Sequence, residues 1–124
     1  MAMLFSLLFT FTPATNVFAD GPWTASTGFS STQGANQWYY QQRPVGGGAF
    51  TDITTYSSGA WRGGNGNWIS GDACHPDNSY DVVRTWKAPG AGTIRITGTV
   101  KKNDTAGGNG VKVSILKNTS IVWG

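Results

Sequence analysis

Two stretches of this chain set aromatic rings beside hydrogen-bonding groups: Gln37-Trp38-Tyr39-Tyr40-Gln41-Gln42-Arg43 and Trp61-Arg62-Gly63-Gly64-Asn65-Gly66-Asn67-Trp68. That combination suits one chemistry in particular. A sugar ring has a flat, C–H-rich face that rests on an aromatic ring, while amide and guanidinium groups bond the hydroxyls around it. Binding sites combine apolar surface with a few placed polar groups in this way. The chain carries six tryptophans and four tyrosines. Tryptophan also fills the cores of small β domains, so about half of the aromatic set is expected inside. Period-two alternation puts Trp38 and Tyr40 on one face of a strand and Tyr39 on the other. Trp61, Arg62 and Trp68, in their glycine- and asparagine-rich setting, are the residues most expected to meet a ligand. Trp38 and Tyr40 are further candidates.

Catalytic chemistry finds less support. His75 is the only histidine and Cys74 the only cysteine, and the two are adjacent. A zinc site needs three or four suitable ligands. A Cys–His nucleophilic pair must meet in space, whereas neighbours on a strand point to opposite faces. His75 therefore reads as a loop residue and Cys74 as a small apolar filler. Glycoside hydrolysis needs two carboxyl groups flanking the bond. The chain has six acidic residues, all aspartate, and none sits in a context that singles it out. Asp72, Asp77 and Asp81 lie close enough in sequence to hold a structural calcium ion through oxygen ligands, but not at EF-hand spacing. Aspartate is common in turns because it bonds its own backbone, and turn chemistry is the expectation here and at Asn103-Asp104. No catalytic residue, metal site, nucleotide motif or haem motif is expected. Asn103-Asp104-Thr105 and Asn118-Thr119-Ser120 fit the N-glycosylation pattern.

The elements that would position these side chains are strands. Glycine, serine, threonine and asparagine punctuate short runs rich in valine, isoleucine, threonine, tyrosine and tryptophan. Strands are expected over residues 37–43, 50–56, 61–62, 68–69, 82–87, 93–101, 111–117 and from 120 onward. In residues 93–101, Ile94, Ile96, Gly98 and Val100 form an inward row; Val111, Val113 and Ile115 form another. The turn-rich stretch between them predicts an antiparallel hairpin. Short strands, glycine-rich turns and no helical periodicity predict an all-β antiparallel sandwich or jelly roll. The chain stops at Trp123-Gly124, just inside a strand, so the domain is expected to be incomplete at its C-terminus.

Residues 1–19 are read apart from that domain. The apolar run LFSLLFTF, followed by Val17-Phe18-Ala19, has the pattern of a secretory signal peptide, although no basic residue precedes it. The run is too short for a membrane span. Residues 20–124 are then the mature, exported domain. A single cysteine allows no intrachain disulfide, which fits a bacterial secreted protein better than a cysteine-dense scaffold. Net charge is +3, and the cations are scattered, unlike the basic stripe of a nucleic-acid binder.

Trp61-Arg62-Gly63, His75-Pro76, residues 80–89 (YDVVRTWKAP) and residues 92–100 (GTIRITGTV) carry a further signal. Over residues 28–124 the chain resembles β-sandwich accessory modules of large secreted polysaccharide-degrading enzymes from soil Gram-positive bacteria such as paenibacilli. The block from Arg84 to Val100, with its hairpin and the Val-Ser-Ile-Leu-Lys-Asn strand, is the distinctive part. The resemblance implies a non-catalytic, carbohydrate-associated role, with polysaccharide as partner and a catalytic domain downstream. It carries over no ligand residues. The alternative is a structural or protein-interaction sandwich whose tryptophans are all core; a small hydrolase ranks third.

Overall fold

The computed structural model describes residues 2–8 and 22–124. The expected cleavage region at Val17-Phe18-Ala19 and the mature start at Asp20 lie outside the described residues. Among the described residues, ten strands form two sheets. In chain order they are β1 (Ala2–Leu8), β2 (Trp38–Pro44), β3 (Thr51–Asp52), β4 (Thr55–Ser57), β5 (Ala60–Arg62), β6 (Trp68–Ile69), β7 (Cys74–His75), β8 (Tyr80–Lys87), β9 (Lys112–Lys117) and β10 (Ser120–Trp123). The larger sheet runs β10-β9-β1-β8-β2-β3 and the smaller β4-β5-β6-β7. The fold is the all-β sandwich that the strand-and-turn pattern predicts.

Four features depart from the expected layout. Residues 50–56 do not form one strand: β3 joins the large sheet and β4 the small one, with buried Ile53 at the crossing. Residues 93–101 form no strand, so the expected hairpin with 111–117 is absent, and Ile96 and Val100 stand exposed. The place beside β8 and β9 is taken by β1, which pairs parallel with both, so the large sheet is mixed. The stretch read as a leader thus supplies a central strand. The inward row on β9 also differs. Ser114 and Leu116 are buried, Leu116 against Val83, whereas Val111 is exposed and Val113 and Ile115 are half-buried. Both faces of β9 are partly covered, so alternation alone could not choose between them.

The main core lies between the sheets. Trp38 and Tyr40 from β2 and Val82 and Trp86 from β8 meet Trp61 and Ile69 from the small sheet. Trp38 sits opposite Trp86 across the β2–β8 ladder, and Trp23 tilts against Trp86 with ring centroids 4.9 Å apart. Tyr40 stacks on Trp61 at 5.6 Å and meets the edge of Phe29 at 4.9 Å. Buried Tyr and Trp need partners for their polar tips, and the main chain of Ser30 serves two of them. Its N–H donates to the Tyr40 hydroxyl and its carbonyl accepts from Trp61 Nε1. The Gln33 side chain acts as a stand-in strand. It donates to the carbonyls of Tyr40 and Ile53 and accepts from the Tyr40 N–H.

Arg84 on β8 is buried in the same layer. Its guanidinium donates to the carbonyls of Ala25, Ser70, Gly71 and Ala73 and to Cys74 Sγ. A planar fork of five N–H groups matches this ring of acceptors as no other side chain does. Asp81, also buried, accepts from Arg43 at 3.2 Å and from the Ala2 N–H at 2.9 Å.

Replacing Arg84 with Met keeps the stem but takes a donor away from each of the four carbonyls, of which Ala73 still has the Ser70 N–H. We expect Arg84→Met to lower unfolding free energy by about 3 kcal/mol, read from urea midpoints; a change below about 1 kcal/mol would remove Arg84 from this role. Burial pushes the Cys74 thiol up, with Arg84 opposing, and burial likewise pushes the Tyr40 phenol up, with its Ser30 hydrogen bond opposing. Folding thus favours both neutral forms. Their stabilisation is complete below the unfolded-state values and is lost as pH rises through the folded ones. The urea midpoint should therefore fall as pH rises above about 8.5, and Cys74→Ala should flatten the first part of that fall.

Candidate functional site

The small sheet is built from three tight connections. Ser58 and Gly59, both at positive φ (49° and 73°), make the two-residue turn between β4 and β5, the geometry that matches strand twist in hairpins. Gly63 opens the loop between β5 and β6, where its N–H donates to the Asn67 carbonyl at 2.9 Å. Any Cβ there would run into the carboxamides of Asn67 and Gln42. Asn67 is itself buried and donates to Gln42 Oε1 at 2.7 Å, locking the loop base to β2. Between β6 and β7, Ser70 N–H donates to the Ala73 carbonyl, and the Ser70 hydroxyl bonds Asp72.

These registers create two rows across the sheet. One row, Tyr56, Trp61, Ile69 and Cys74, lies opposite in sequence along β4 to β7. Trp61 and Ile69 in it are buried in the core, Cys74 is half-buried, and Tyr56 meets Trp61 edge-on at 5.3 Å. The other row is Thr55, Arg62, Trp68 and His75. Alternation sends it to the outer face. Thr55, Arg62 and His75 are exposed and Trp68 is half-buried. Trp68 and His75 stack nearly parallel, with centroids 5.7 Å apart and planes 9° apart. Arg62 is Trp68's cross-strand partner on the other side, its Nε turned to the Ser57 carbonyl at 3.2 Å. The Arg62 residue as a whole is exposed.

Of the five expected ligand residues, Arg62 and Trp68 come together on this outer face. Trp38, Tyr40 and Trp61 do not: all three are buried, and Tyr40 and Trp61 are stacked on each other. Trp61 and Trp68 share one hairpin but occupy opposite faces, because Trp61 pairs with Ile69 and Arg62 with Trp68. His75 was expected in a loop and instead sits on β7 against Trp68. Its signal in the sequence was the short Ser70–Ala73 turn, which brings His75 opposite Trp68 once the pairing is known.

The three neighbouring aspartates go to separate partners. Asp72 accepts from Ser70, Asp77 from the N–H groups of Ser79 and Tyr80, and Asp81 from Arg43 and Ala2. Among the described residues no group of three His, Cys, Asp or Glu is placed to hold a metal ion. A shallow hollow lined by Asn109, Gly110, Val111 and Lys112 lies in the connection before β9 and presents no aromatic ring. Among the described residues no helix is long and apolar enough to cross a membrane.

Among the described residues, the row Thr55-Arg62-Trp68-His75 brings a stacked aromatic pair beside an exposed arginine on one sheet face. Comparison with family models, with curated proteins and with solved structures finds no match.

Proposed function

We propose that this chain binds polysaccharide without a covalent step, through the outer face of its small sheet. The supporting observation is the Trp68–His75 stack with Arg62 opposite Trp68. The rings offer apolar surface to a sugar face, and the guanidinium offers donors to its hydroxyls. The sheet holds these groups in register before any ligand arrives, which lowers the ordering cost of binding. The likeness to accessory modules of polysaccharide-degrading enzymes and the leader pattern in residues 1–19 support a secreted setting, with the module tethering a downstream catalytic domain to its substrate. A second reading, a structural or protein-interaction sandwich domain, is favoured by the burial of Trp38, Trp61, Trp86 and Tyr40, which spends most of the aromatic surface on the core.

Titration of the full chain with soluble plant and microbial polysaccharides, followed by tryptophan emission, separates the two. A saturable change with one glycan is expected. Trp68→Ala should weaken that binding about 30-fold, or roughly 2 kcal/mol, and leave the urea midpoint nearly unchanged. Trp61→Ala should instead cost about 3 kcal/mol of stability. Binding that survives Trp68→Ala places the ligand elsewhere, and emission indifferent to every glycan favours the structural reading.

A further inference from the structure

The connection from β8 to β9 is unusual. Its 24 residues carry no regular structure, whereas irregular connections longer than about 12–15 residues are uncommon in compact domains. Within it, residues 93–101 hold a strict period-two apolar row, yet Ile96 is 50% and Val100 45% exposed. A stretch with strand alternation and no strand partner has its apolar row in water for no local reason. β8 and β9, meanwhile, run in the same direction and stand one strand apart, with β1 between them. That position, about 9.6 Å between β8 and β9, admits a single strand of either direction.

We propose that residues 93–101 are a second claimant for the position held by β1, and that they enter it as an antiparallel strand when β1 is withdrawn. Chain connectivity favours the exchange. Residues 88–92 would turn from β8 into the new strand, and residues 102–111 would turn from it into β9. Sequential neighbours would then be spatial neighbours, the commonest arrangement in sheets. Antiparallel pairing replaces the slightly weaker parallel ladders. Ile94 already packs against the main core, so it anchors the end of the segment from which pairing extends. Alternation then carries Ile96 and Val100 to the same side as Ile94. Asp81 loses only the Ala2 N–H and keeps Arg43. The exchange lets the sandwich survive removal of its N-terminal segment, as processing of a leader would require.

Hydrogen exchange of the full chain tests this. In the unaltered chain, amides of 2–8 should be protected and those of 93–101 should exchange fast. The double substitution Leu4→Pro and Ser6→Pro removes ladder donors from β1. Residues 93–101 should then gain at least about 100-fold protection while 82–87 and 112–117 keep theirs. Adding Ile96→Asp should abolish that gain, yet in the unaltered chain it should leave the urea midpoint unmoved. The exchange is overturned by any of three results: fast exchange of 93–101 after the proline substitutions, loss of protection in 82–87 and 112–117 alongside β1, or protection of 93–101 already present in the unaltered chain.

Discussion

A buried guanidinium with carbonyls for partners organises this molecule. Arg84 projects from the longest strand and gathers the main-chain oxygens of Ala25, Ser70, Gly71 and Ala73. The first belongs to the segment that brings Phe29 and Ser30 over Tyr40; the others form the turn between β6 and β7. A cation taken out of water without a carboxylate is costly, and here a ring of oriented dipoles replaces its hydration. Because those dipoles belong to the chain's own turn, the charge dictates where that turn lies. The turn in turn sets which residue of β7 faces Trp68. The outer-face aromatic pair is thus positioned from the inside, by a side chain that bonds Cys74, the chain neighbour of His75.

The small sheet shows how few residues can serve two purposes. Its strands are two or three residues long, yet β5, β6 and β7 each turn one side chain toward the core and the next to the outer face. Strands this short hold their register through their turns rather than their ladders. Hence the reliance on Gly59 at positive φ and on Gly63 against Asn67 and Gln42. Asn67, through Gln42, also fixes the small sheet to β2, so the outer face has a rigid base.

Much of the architecture was readable from residue pattern. The runs at 37–43, 82–87 and 111–117 become strands, and Trp38 and Tyr40 share a face as alternation requires. The side of the sheet that faces the core was not readable, because mixed aromatic and polar stretches look alike on both faces. Parity carried more information than composition did. A five-residue loop places 61 opposite 69 and 62 opposite 68, which bars Trp61 and Trp68 from a common face. Residues 93–101 fail differently. Their local preference is for a strand, but pairing is non-local, and β1 holds the place between β8 and β9. On β9 the confusion came from coverage on both sides, which left the Ser114 and Leu116 face drier than the Val113 and Ile115 face that alternation favours.

Ser30 illustrates how a position can matter without its side chain mattering. Its amide and carbonyl hold the polar tips of Tyr40 and Trp61, while its hydroxyl only closes an exposed turn to Thr32. Any residue except proline, which lacks the N–H, would supply those two contacts on the same backbone path. Substitutions at 30 would therefore look almost silent, whereas deleting one residue nearby would shift both contacts out of reach. Sequence drift in this segment would be limited by its length rather than by its letters.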